Sequence, residues 1–89
     1  MTKQELAELF DSLYYGHDAE LAISDKHYFL EWNGKGIEVY LMDETEWVKI
    51  ISVDGKDRND VVCNLFNLRW AENKNLNDFY NDIEIIDIE

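Results

Sequence analysis

The chain has no proline, one cysteine, four glycines and two histidines among 89 residues, and its eight Lys and Arg are outnumbered by twenty Asp and Glu. Each shortage excludes something. The lone thiol, Cys63, excludes an internal disulfide and a cysteine-built zinc cluster. No glycine-rich phosphate cradle is present: Gly34-Lys35-Gly36 lies in a hairpin pattern, not between a strand and a helix. No apolar run approaches the roughly 20 residues that span a bilayer. Met1 leads straight into a helix signal with no basic-then-apolar leader, so no secretory signal is expected and a cytoplasmic location fits. The scattered basic residues give no direct nucleic-acid surface, and the acidity repels both nucleic acid and an anionic membrane.

What is present is negative charge, unevenly placed. The net charge is −12. Gln4–Asp25 and Asn75–Glu89 together carry eleven acids and no Lys or Arg, whereas residues 26–74 hold nine acids against seven bases. Unneutralised like charge destabilises a compact state through self-repulsion. If the fold brings the two segments together, the molecule acquires one strongly negative pole. The length suits one domain, residues 1–89. An apolar share of 46% with twelve aromatics is ample for a single core and argues against disorder. Burial is marginal at this size. Phe10, Tyr28, Phe29, Trp32, Tyr40, Phe66 and Phe79 are expected to compensate by filling the core.

Along the chain, Thr2-Lys3-Gln4-Glu5 reads as a capping box before Leu6, Leu9, Phe10, Leu13 and Tyr14 at helical spacing, with Gly16 as a left-handed C-cap. This predicts a helix over residues 3–15. Ala19, Leu21 and Ile23 alternate with polar or small residues. His27–Trp32 is aromatic and β-prone, followed by the hairpin signal Asn33-Gly34-Lys35-Gly36. Ile37, Val39 and Leu41 alternate next, and Trp47–Val53 reads as a fourth strand. Asp57 or Asn59 caps a second helix expected to reach about Trp70. Its apolar set of Val61, Val62, Leu65, Phe66 and Leu68 is too wide for a single stripe, so it is either enclosed between two layers or left with an exposed edge. Asn75 opens a short third helix. Ile83/Ile85 and Ile86/Ile88 are out of phase, which places a helix-to-strand change near Glu84. The expected class is α+β: an N-terminal helix packed on a three- or four-stranded antiparallel meander, then two short helices and a C-terminal strand.

Catalytic and metal chemistry find no constellation. No serine stands near a base, and Cys63 sits among helical apolar residues where a thiol is a small core side chain. His17 and His27 lack metal-ligand spacing. Asp54–Asp60 superficially suggests a calcium loop but has glycine in the second position and no closing glutamate. Asp43–Glu46 reads as a solvated turn. The chain is therefore read as non-enzymatic, with no cofactor and no metal.

Two binding surfaces remain. The first reading is an inhibitor from a phage or mobile element: Glu8, Asp11, Asp18 and Glu20, with Asp78, Asp82, Glu84 and Asp87, are expected to form an acidic face that imitates a phosphate backbone and occupies the arginines and lysines of a basic, nucleic-acid-handling enzyme. Alternatively Phe29, Trp32, Trp47 and Trp70 supply aromatic contacts of an accessory or adaptor domain, with the acids serving solubility. Both faces of the meander are apolar, and the first helix can cover only one. A second helical layer is expected over the other face; without it Phe29, Tyr40 and Met42, or Trp32 and Trp47, form a contact patch. Nothing in the sequence specifies an oligomeric state.

The inferred order of helix, antiparallel strands and two helices, with heavy acidity in a short chain, resembles small phage-encoded anti-CRISPR proteins that inhibit the RNA-guided nuclease. Asp78-Phe79-Tyr80-Asn81-Asp82-Ile83 is similar to the closing helix of one such protein. The resemblance implies an acidic surface that imitates DNA at the PAM-reading arginines. Trp47–Val53 and the final strand depart from that pattern, so no mimic residue is carried over individually. Tyr14-Tyr15-Gly16 also occurs in barstar-like nuclease inhibitors, whose parallel sheet does not match.

Overall fold

A computed structural model describes residues 1–89. The first helix, α1, spans Lys3–Tyr14 and begins at the expected capping box: the Glu5 N–H donates to Thr2 Oγ1 at 3.1 Å and the Thr2 N–H to Glu5 Oε1 at 2.9 Å. Gly16, at φ +93°, takes the left-handed conformation that turns the chain out of the helix. Four strands follow in a meander: β1 Ala19–Ile23, β2 Lys26–Asn33, β3 Gly36–Asp43 and β4 Glu46–Val53. Next come α2 (Arg58–Asn67), α3 (Leu76–Phe79) running into a 3-10 turn at Tyr80–Asp82, and β5 (Ile83–Ile88). The sheet order is β4-β3-β2-β1-β5, antiparallel throughout. The final strand thus pairs with the first, and the α+β class read from the sequence holds.

Two bulges set which residues face which way. Val39 pairs with Ile51 but Tyr40 pairs with Lys49, leaving Ile50 as the extra residue of β4. Leu21 pairs with Ile85 but Glu20 with Asp87, leaving Ile86 extra in β5. The phase change among the C-terminal isoleucines therefore arises within the strand, which already begins at Ile83, and not from a helix ending near Glu84. An extra residue inverts the facing of everything beyond it, because side chains alternate with period two.

One face of the sheet presents Leu21, Leu30, Ile37, Val39 and Val53, all buried, to Leu9 and Leu13 of α1, Val61, Val62, Leu65 and Phe66 of α2, and Leu76 of α3. Each such side chain contributes about 1.5–3 kcal/mol on burial. The core is aliphatic where aromatics were expected: of the seven rings named above only Tyr28 and Phe66 are fully buried. The wide apolar arc of α2 is absorbed because that helix lies against α1, α3, β3 and β4 at once. It stops at Asn67, short of Trp70. Leu68 turns extended, and Trp70 folds back to donate its indole N–H to the Leu65 carbonyl at 2.8 Å.

The chain ends meet. The Met1 ammonium donates to the carbonyls of Tyr80, at 2.9 Å, and Ile83, while the Glu89 N–H donates to the Asp18 carbonyl at 2.8 Å. All helices lie on the same face of the sheet, so the expected second helical layer over the other face does not exist.

Candidate protein-binding site

The uncovered face is built by alternation on five strands. Cα pairing runs Lys49–Tyr40–Phe29–Glu20–Asp87 from β4 to β5 in one row across the sheet. A neighbouring row holds Trp47, Met42, Ala22 and Glu84, with His27 between Met42 and Ala22; on the other side Ser52, Glu38 and Glu31 follow one another. Phe29 and Trp47 lie 5.8 Å apart between ring centroids, inclined at 45°. Together with Tyr40 and three carboxylates, Glu20, Glu31 and Glu89, they line an open groove of about 500 Å³. The bulge at Ile50 creates this site: with the uninterrupted register of Val39–Ile51, Trp47 would point to the helical side.

The electrostatics of the face are graded. Glu38, only 8% exposed, accepts from Lys49 at 2.8 Å and from the Asn33 amide. These hydrogen bonds, Lys49's first, hold its carboxyl below the ordinary value, while Glu38 raises the Lys49 ammonium. Glu31 stands directly opposite Glu38 and makes no ion pair of its own. Glu20 Oε2 meets His27 Nδ1 at 2.9 Å. The Tyr40 hydroxyl is pushed up, mostly by desolvation and then by the negative field of Glu38 and Glu31. The groove is therefore lined by aromatic side chains under a net negative potential.

The eight predicted acids divide between layers. Glu8 and Asp11 project into solvent from α1, and Asp78 stands in the first turn of α3, all on the helical side. Asp18 is half-buried and accepts the Trp32 main-chain N–H at 2.9 Å, a structural task. Asp82 lies in the 3-10 turn. Glu20, Glu84 and Asp87 share the open face. The pairing of β1 with β5 does join the two acidic segments, but the eight residues make no single acidic face.

The four predicted aromatics divide likewise. Phe29 and Trp47 stand on the open face. Trp32 donates its indole N–H to the Leu13 carbonyl at 2.8 Å, with the Arg58 guanidinium 6.0 Å from its ring centre. Trp70 packs edge-on against Tyr28 at 5.3 Å. Both belong to the helical side, so neither joins the contact patch. Sequence reasoning missed Glu31 and Glu89 as lining groups. The alternation of β2 carried the signal for Glu31, because it shares a face with Phe29; Glu89 reaches the groove only through β5 pairing.

A second groove at one end of the sheet gathers Gly16, Gly34 and Gly55 with Lys35, Lys56 and Arg58. No group of three or more His, Cys, Asp or Glu is placed to hold a metal ion, and no helix is long and apolar enough to cross a membrane. No protein-family model, curated protein or solved structure matches this chain.

Proposed function

We propose that this chain is a non-enzymatic cytoplasmic domain that binds a basic protein through the open face of its sheet. The observation that carries the reading is the gathering of Phe29, Tyr40 and Trp47, from three strands, on a face no helix covers and beside the carboxylates of Glu20, Glu31 and Glu89. Interfaces are centred on aromatic residues and rimmed by polar ones. Rim charge accelerates encounter with a partner of opposite sign and makes it salt-sensitive. Phe29 and Trp47 from one candidate surface and Glu20, Glu84 and Asp87 from the other thus share this face, aromatic at its centre and acidic along the β1–β5 side.

A second reading is nucleic-acid mimicry by an anti-CRISPR-like inhibitor from a phage or mobile element. It is supported by the pairing of β1 with β5, which puts Glu20 opposite Asp87 and Glu84 opposite Ala22 on the same face. These carboxylates would engage the phosphate-binding arginines of a nucleic-acid-handling enzyme and block it by occupation.

Affinity capture from a nuclease-treated bacterial lysate, eluted with rising salt, tests both. A partner retained by the wild type and lost with Trp47→Ala supports the open-face reading. Retention that survives Trp47→Ala but fails with Glu20→Gln/Glu84→Gln/Asp87→Asn, with steep salt dependence, supports mimicry. Retention insensitive to both variants overturns the assignment of the open face.

A further inference from the structure

We infer that the groove of Phe29, Tyr40 and Trp47 is a seat for an arginine side chain of the partner. The inference rests on the open-face reading and names the group that face takes. Every lining side chain is either an aromatic ring or a carboxylate, and no Lys or Arg lines the groove. The face of an aromatic ring is the negative end of its quadrupole, so rings and carboxylates both favour a cation. The nearby lysine, Lys49, is already engaged by Glu38. Glu31 faces that same carboxylate from the neighbouring strand without a cation of its own. A bound cation therefore relieves an existing repulsion as well as filling the groove.

Guanidinium fits this site better than ammonium. It is planar, weakly hydrated and stacks on rings, and its fork of five donors matches carboxylate oxygens. An ammonium in an open groove keeps its water and gains less. The acceptors are the Glu31 carboxylate and the Glu20 oxygen not committed to His27, both lining the groove with the rings. Trp47 also supplies the reporter: Trp32 and Trp70 have their indole N–H groups bonded to main-chain carbonyls, whereas the Trp47 N–H has no protein partner.

The test titrates ¹⁵N-labelled protein with acetyl-Gly-Arg-Gly-amide, following the Trp47 indole N–H signal assigned with Trp47→Phe. Matched tripeptides carrying lysine or neutral citrulline are run alongside. A saturable shift with the arginine tripeptide is expected, at least about threefold tighter than with lysine and absent with citrulline. Glu31→Gln is expected to weaken it roughly tenfold, and Glu8→Gln on the helical layer to leave it unchanged. Equal binding of lysine and arginine would reduce the site to diffuse charge attraction and overturn the assignment, as would no saturable shift. A Trp47 signal that moves with protein concentration alone would give the groove to a second copy of the chain. If a captured partner is lost with Trp47→Ala while the tripeptide does not bind, only the arginine assignment fails. If the tripeptide binds but capture ignores Trp47, the arginine seat stands and the docking reading fails.

Discussion

Phe29 and Trp47 belong to strands that do not pair with each other, yet their rings meet across β3 at 5.8 Å. The contact exists because Ile50 is an unpaired extra residue that turns Trp47 onto the open face. The ring separation lies in the range over which aromatic pairs contribute about 0.5–1.5 kcal/mol beyond area burial.

That placement separates binding from stability at two tryptophans. Trp47→Ala removes a side chain that is 38% exposed, and is expected to cost about 1 kcal/mol or less while abolishing partner retention. Trp32→Phe removes the bond to the Leu13 carbonyl and is expected to cost roughly 0.5–1.5 kcal/mol with partner retention intact. Urea denaturation alongside capture checks both.

The acids give a second contrast. Glu20 and Asp87 are Cα partners across β1 and β5, and like charges directly opposite are destabilising. Asp87→Asn is expected to raise stability by a few tenths of a kcal/mol and weaken binding. Glu8→Gln relieves the like-charge spacing with Asp11 on α1, so stability rises similarly while binding is unchanged. Both stability gains shrink in high salt because screening already suppresses the repulsion. Thermal melts at low and high salt measure them.

Glu38 and Lys49 stabilise the sheet only while both are charged. The Glu38 carboxyl lies below its ordinary 4.5 in the folded protein, so its contribution is present above that value and is lost as pH falls through the folded one. The Lys49 ammonium lies above its ordinary 10.5, so its contribution holds below that value and is lost as pH rises through the folded one. Melting temperatures from about pH 6 down to about pH 2 should therefore fall less steeply for Glu38→Gln than for the wild type. An unchanged slope would show that the pair does not set acid sensitivity.

The β3–β4 turn carries local strain. Glu44 sits at φ +55°, a conformation that non-glycine residues adopt at a cost. Glu44→Gly is expected to stabilise by about 0.5–1 kcal/mol, since glycine occupies this region without a Cβ penalty. Denaturant midpoints at constant m-value are the readout.

Local chemistry was legible wherever a few neighbouring residues decide the outcome. Thr2 and Glu5 close a capping box, Gly16 ends α1, Asn75 caps α3 and Gly34 turns the β2–β3 hairpin at φ +62°. The end of α2 was not legible, because it depends on Trp70 folding back onto Leu65, a choice made by packing against Tyr28.

The order of helices and strands, the alternation of β1 to β3 and the charge of the two terminal segments each follow from residue type and spacing within one segment. Long-range packing is what returns β5 beside β1 and joins those segments, crowds all helices onto one face, and through bulges at Ile50 and Ile86 swings Trp47 and Asp87 to the other. A single segment does not encode this, because a bulge is a relation between two strands: the core closes with Val39 against Ile51 and Leu21 against Ile85, and the odd residue goes where that closure requires.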